Sequence, residues 1–233
     1  MTLTPLTQVI SERMRALPTV DWTTVETAYP DVVRALDMLS DDPNLLTNLV
    51  RNAWSDPALR KKCEIHSLDD KIVLWDEPDK GLRIRLRLAH TQQYERVHNH
   101  RFSFAARILS GSYFQNLYDT VGPLDGSARV EDFTVVSSRI EPVGSTICID
   151  HSQLHTTLTP PRTVSLMIQS PPKKRRSFII RLSDGDVWWR LGEADETERR
   201  RQEVVMDDCT FWKWMRTLED LGVIKAGAAD DRG

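Results

Sequence analysis

Val97-His98-Asn99-His100, followed by Arg101-Phe102-Ser103-Phe104 and a turn at Ser110-Gly111-Ser112, decides how this chain is read. Fifty-five residues after His100, the run Gly144-Ser145-Thr146-Ile147-Cys148-Ile149-Asp150-His151-Ser152-Gln153-Leu154 closes on His155. Successive side chains of a β-strand alternate between faces, so His98 and His100 point the same way, roughly 7 Å apart. That spacing lets two imidazoles converge on one ion, and a third from a neighbouring strand completes a facial set. His155, at the end of a strand-like run, is the third member. An isolated His-x-His pair is weak evidence, because histidines also pair on surface strands. This chain, however, has only six histidines, and four fall in these two segments among apolar strands, which favours a metal site.

The texture around these segments is that of strands. From Cys63 to about Leu182, short alternating runs (71–75, 82–90, 105–109, 113–118, 146–149, 164–169 and 178–182) are separated by turn chemistry. The breaks are Glu77-Pro78-Asp79-Lys80-Gly81, Ser110-Gly111-Ser112, Gly122-Pro123-Leu124-Asp125-Gly126 and Pro171-Pro172. About ten short strands in such a stretch predict a mainly β fold, an antiparallel barrel or jelly roll. The first 62 residues read as helical instead: Leu6, Val9, Ile10, Met14 and Leu17 recur at helical spacing, as do Val32, Val33, Leu36 and Leu39, then Leu45, Leu46, Leu49 and Val50. Pro18, Pro30 and Pro43 punctuate these segments. The tail returns to helix over 196–221, with Phe211, Trp212, Met215, Leu218 and Leu221 on one face. The expected organisation is one domain: a helical extension over 1–62, a β-barrel over 63–185 and a C-terminal helical segment over 186–233. Trp188-Trp189 would dock that last segment onto the barrel.

Composition sets the outer limits. With 233 residues, 40% of them hydrophobic, the chain can bury a full core. A formal net charge of −3 gives no reason to expect nucleic acid or an anionic membrane as partner. Lys173-Lys174-Arg175-Arg176 reads as a solvated hairpin tip. Cys63, Cys148 and Cys209 are odd in number and widely spaced, which suggests neither a disulfide framework nor a zinc knuckle. Glu12, Arg13 and Arg15 interrupt any signal-peptide-like apolar region, and no window approaches the ~18 apolar residues of a membrane span. A cytoplasmic setting is the expectation.

The residues resemble a cupin and, within cupins, the cysteine-dioxygenase-like branch. His98-x-His100 with Gly111 matches the first cupin motif, and His155 the histidine of the second. Many cupins add a Glu four or five residues after the second His; Phe104 and Ala105 occupy those positions here. The resemblance therefore implies a three-histidine site, as in the thiol dioxygenases. Asp150 with Leu154-His155 is similar to that family's Asp…Leu-His segment. Val164-Ser165-Leu166-Met167-Ile168-Gln169-Ser170-Pro171-Pro172 is similar to its strand ending in Ser-Pro-Pro, and 82–106 can be laid on the family without a gap. The likeness spans 70–182 and implies a cupin-type barrel. The departures are as specific. Thiol dioxygenases carry a Ser-His-Tyr relay before Ser-Pro-Pro; Ser165 matches, but Met167 and Gln169 replace the His and Tyr. Ala105 replaces the cysteine that some members crosslink to that Tyr.

Three neutral imidazoles would leave the full charge on one divalent ion and adjacent positions open. Iron(II) is the expected metal, able to take an anionic chelating substrate beside dioxygen; zinc, manganese and nickel suit the same ligands. Asp150 and Gln169 are candidate acceptors for the unused imidazole nitrogens. His151 and Gln169 are the candidate catalytic groups beyond the ligands, His151 as a loop histidine able to move a proton. Leu82-Arg83-Ile84-Arg85-Leu86-Arg87-Leu88 alternates strictly; Arg83 and Arg85 read as a solvated outer face, with the leucines in the core. By the resemblance Arg87 falls at a pocket-lining position, where it could grip a carboxylate or phosphate. Tyr94, Phe102, Phe104 and Tyr113 would complete the substrate pocket. The expected function is an iron-dependent cupin oxygenase acting on a small anionic metabolite other than free cysteine. The alternatives are a non-catalytic metal- or ligand-binding cupin whose helical arms make a homodimer or a scaffold, and a metal-dependent isomerase or lyase.

Overall fold

The structure, a computed structural model, describes residues 5–90, 96–192 and 195–226. Four helices come first: α1 (Pro5–Arg15), α2 (Val25–Ser40), α3 (Pro43–Ser55) and α4 (Pro57–Arg60). Eleven strands follow: β1 (Asp69–Glu77), β2 (Leu82–Ala89), β3 (Arg96–His98), β4 (Phe104–Ser110), β5 (Tyr113–Thr120), β6 (Phe133–Glu141), β7 (Thr146–Ile149), β8 (Leu154–Leu158), β9 (Val164–Gln169), β10 (Arg176–Arg181) and β11 (Val187–Leu191). Helices α5 (Glu198–Glu203) and α6 (Asp208–Asp220) close the described chain. The strands form two antiparallel sheets, ordered β1-β2-β9-β4-β7 and β11-β10-β3-β8-β5-β6, in a jelly-roll-like barrel.

The helix starts are written locally. Asp42 accepts from the Asn44 and Leu45 amides at 3.1 and 3.0 Å, with Pro43 in the first turn. Asp207 caps α6 through the Thr210 amide at 2.7 Å. Pro30 does not end a helix as its position suggested, for α2 runs through it. The predicted C-terminal helix is two, parted at 204–207.

Strand β2 shows how the layers are arranged. Its leucines and isoleucine are fully buried, but not in the barrel. Leu82, Ile84, Leu86 and Leu88 join Leu166 and Ile168 of β9 in one apolar cluster with Leu36, Leu39, Leu46 and Leu49 of α2 and α3, and Phe211 and Leu218 of α6. The helices thus cover the outer face of the five-stranded sheet, and the alternate side chains of β2 are left to the barrel interior. This overturns the expectation that Arg83 and Arg85 face solvent: the arginine face of β2 is the inner one. The guanidinium of Arg85 lies 3.2 Å from the Met167 sulfur and over the Phe102 ring.

Three further placements differ from the sequence reading. Strand β3 ends at His98, so His100 stands in the following loop; His155 is near the start of β8 and not at the end of a run. Trp188 and Trp189 lie on β11, paired with Ile179 and Phe178 of β10, so the sheet continues past residue 185. Strand β6, absent from the expected set, is an edge strand with most side chains exposed, and burial therefore never imposed an apolar alternation on it. Among the described residues no helix is long and apolar enough to cross a membrane.

Because α6 shares its core with the barrel, damage there should reach the whole chain. Phe211, fully buried, stacks on Trp54 with ring centroids 4.2 Å apart. Phe211→Ala is expected to cost about 3–5 kcal/mol in chemical denaturation, with strand and helix signals lost in one transition. Separate transitions would show the helical layer and the barrel to be independent.

Candidate metal centre

Register builds the centre. Strand β3 lies between β10 and β8, and its one pair with β8 sets His98 directly opposite His155. His100 enters from the loop after β3, its backbone N–H donating to the His151 carbonyl at 3.3 Å. The three rings come together with centroids 4.5–5.0 Å apart, and one nitrogen from each lies within 4.8 Å of the others. Nε2 of His100 and Nε2 of His155 are 2.8 Å apart. Two nitrogens held at right angles by bonds of ~2.1 Å would stand about 3 Å apart, so this spacing suits neighbouring ligands of one ion.

Two of the three outer nitrogens are anchored. Nδ1 of His98 donates to the Arg96 carbonyl at 2.9 Å, and Nδ1 of His155 lies 3.3 Å from the Thr157 hydroxyl. Both bonds leave Nε2 for the centre. Burial pushes the pKa of all three rings below the ordinary imidazole value, and the charge of Arg87 pushes the same way. The surroundings thus favour the neutral form of each ring, the form a metal ligand takes. No carboxylate joins the cluster among the described residues. The donor set fits one divalent ion with open positions.

Asp150 is not the acceptor the sequence suggested. Its carboxylate closes its own turn, accepting from the Ser152 amide and hydroxyl at 2.8 and 2.6 Å and from the Ser103 hydroxyl at 3.0 Å. Partial burial would raise its pKa, but these bonds and the neighbouring His151 hold it at about 2. The ring of His151 sits 3.2 Å from that carboxylate, about one-third exposed and outside the three-ring cluster. What His151 gives the centre is its backbone carbonyl, which holds His100.

Arg87 does point into the barrel, but its charge is already shared. Its Nε pairs with Asp69 of β1, and its Nη1 donates to the Tyr113 hydroxyl at 2.9 Å, leaving Nη2 as the donor neither partner takes. The Tyr113 hydroxyl in turn lies 2.6 Å from the Ser165 hydroxyl across the barrel. Phe102 and Phe104 wall the His100 ring, with centroids 5.7 and 4.9 Å away. Gln169 ends β9 opposite Arg83 and Phe104, buried, with no partner for its Oε1. Tyr94 lies outside the described residues. Sequence reasoning missed Gln115, two positions along β5 from Tyr113 and opposite Thr157, only 1% exposed with neither amide atom hydrogen-bonded among the described residues. Two polar atoms this deep with no protein partner are costly unless a ligand or a buried water meets them. The alternation of Tyr113, Gln115 and Leu117 was the available signal.

No family model matches the chain, and no curated protein matches it. Among solved structures it is similar to KdgF from Halomonas sp., at 13% identity and TM-score 0.35, over 47% of this chain and 85% of that one. It is similar to an RmlC-like cupin from Shewanella frigidimarina, at 16% identity and TM-score 0.35, over 48% and 85%. A third is the hydroquinone 1,2-dioxygenase PnpCD, at 9% identity and TM-score 0.32, over 43% and 63%.

Two outcomes test the centre. His98→Ala, His100→Ala and His155→Ala should each lower divalent-metal occupancy more than tenfold by elemental analysis, while His151→Ala, which keeps its backbone carbonyl, should not. Asp69→Asn should cost about 1–3 kcal/mol, because it removes the charged partner of a guanidinium only 17% exposed. Burial opposes ionisation of Asp69, but Arg87 and Lys71 outweigh it and hold the carboxyl well below its usual range. Its contribution is therefore complete above the unfolded value of about 3.9 and lost as pH falls below it. Denaturation between about pH 6 and pH 2 should show the wild type losing more stability than the variant.

Proposed function

We propose that this chain is a non-haem iron(II)-dependent oxygenase of the cupin type, from a branch akin to the thiol dioxygenases, acting on a small anionic metabolite other than free cysteine. The observation that carries this reading is the cluster of three converging imidazoles, joined by no carboxylate among the described residues, inside a barrel that also holds the partly buried Arg87. When bound, an iron(II) ion would supply the electron transfer to dioxygen that the protein's own side chains cannot.

The chain's residues would do the rest. Arg87, aligned by Asp69, would orient an anionic group through Nη2. The buried amide of Gln115 would hydrogen-bond a polar substrate atom. Phe102 and Phe104 would exclude water on the His100 side. Ser165, which matches the first member of the thiol-dioxygenase relay, is bonded here to Tyr113. That hydroxyl pair, joined to Arg87, can hold or pass a proton where Met167 and Gln169 cannot. An isomerase or lyase would need a free base, and the interior carboxylate nearest Arg87, Asp69, is already committed to it.

The test is oxygen uptake by anaerobically iron-loaded protein against a panel of amino, hydroxy and thiol acids. Uptake is expected with an oxygen- or nitrogen-chelating acid, reduced at least tenfold by Tyr113→Phe, and with little or none on cysteine. Stoichiometric conversion of cysteine to its sulfinate would overturn the substrate reading. Metal binding without oxygen uptake on any acid would favour a non-catalytic binding protein.

A further inference from the structure

At one end of the barrel a cleft of about 490 Å³ opens between Phe102, Gln169 and the segment that follows β9. Five cations line it, Arg83, Arg101, Lys173, Lys174 and Arg175, against two carboxylates, Asp76 and Asp195. Asp76 is taken by Arg83 at 2.9 Å and by Lys62, and Asp195 by Arg175. Arg101, Lys173 and Lys174 form no salt bridge among the described residues. In a chain of net charge −3, five cations against two carboxylates in the lining of one concavity give a locally positive field that favours an anion.

The cleft is built from the same loops as the metal centre. The Lys173 amide donates to the Arg101 carbonyl at 2.7 Å. The Ser170 amide donates to the Ser103 carbonyl at 2.9 Å, and the Ser103 amide to the Ser170 hydroxyl at 3.1 Å. These bonds staple the basic segment to the loop that carries His100. Gly192 gives the Arg101 guanidinium its seat, since a Cβ there would stand 2.8 Å from Cζ. Gln169, 6% exposed, also lines it, and its Oε1 accepts no hydrogen bond among the described residues. Phe102 lines the cleft on one side, and its ring centroid is 5.7 Å from that of His100 on the other.

We propose that this cleft is a subsite for a second anionic group of the substrate, a phosphate or carboxylate held by Arg101, Lys173 and Lys174 one aromatic ring away from the histidine cluster. It rests on the proposed function only in taking the cluster as the reacting end. The ligand class follows from the donors: a small molecule anionic at both ends, with a hydroxyl or amine near the outer anion to donate to Gln169. Such a ligand would span the Phe102 ring, with its chelating end at the imidazoles and its tail on the cations.

Inorganic phosphate is the probe, titrated into the full chain carrying His155→Ala, so that a metal-bound phosphate cannot mimic the subsite. Amide NMR shifts should saturate and map to Arg101, Gln169 and Lys173. Acetate in a parallel titration reports whether a carboxylate is taken as well as phosphate. Adding Arg101→Gln should weaken phosphate at least tenfold. Gly192→Ala, which displaces the guanidinium without removing its charge, should do the same, whereas Arg199→Gln on exposed α5 should change nothing. Non-saturating shifts, or equal affinity in the Arg101 and Arg199 variants, would overturn the subsite. Should Arg101→Gln fail to fold, Lys174→Gln carries the same test. Metal analysis of the wild type is read separately: no metal with phosphate bound would sink the oxygenase and spare the cleft, and metal with no phosphate site would do the reverse.

Discussion

The burial of one face of β2 beneath the helical layer is the constraint on which the rest depends. A strand has two faces, and Leu82, Ile84, Leu86 and Leu88 are claimed by α2, α3 and α6. Each fully buried aliphatic side chain contributes about 1.5–3 kcal/mol, so this face fixes the register of the sheet. Three guanidiniums are thereby placed on the inner wall, where no surface-driven reading would have put them. The helices pack on the face of β2 opposite its arginines, and so decide which side of the strand faces the barrel interior.

Charges placed inside need partners, and β1 supplies them. Asp69 meets Arg87, and Asp76 meets Arg83. Glu64, in a bridge beside β1, accepts from Lys71 at 3.2 Å and lies 2.9 Å from the His66 ring. Burial lowers the Lys71 pKa to about 8, and Arg190 adds to the effect while Glu64 and Asp69 oppose it. Arg85 has the least compensation: burial lowers its pKa to about 10, and its hydrogen bonds go to a thioether. The interior is thus electropositive on the side of β2 and neutral at the three imidazoles, a field that favours an anionic ligand over a cationic one.

The sequence was most legible where period and chemistry coincided. The His98-x-His100 pair, the return of His155 and the strands over 146–149 and 164–169 could be read because alternation and turn residues agreed. The facing of Arg83 and Arg85 could not, since strict alternation names two faces without saying which is inner; that depends on helices more than 25 residues away in the chain. Asp150 misled because a carboxylate two residues before a serine serves its own turn as readily as a distant ring. Gln115 was hidden because the residues around it on β5 read as an ordinary strand, and its value lies in what it fails to bond.

Strand β3 offers only three residues and a single pair to β8. That pair carries two of the three imidazoles, so an ion there would act as a clasp across the weakest seam of the six-stranded sheet. A slip of one position would turn His155 to the opposite face and dissolve the clasp. Binding free energy would then reward only the correctly zipped chain, making the ion a proofreader of sheet assembly. A chelator, on this view, would be felt first as loosened amide protection at Val97 and Leu154, before any change in the helices beneath β2.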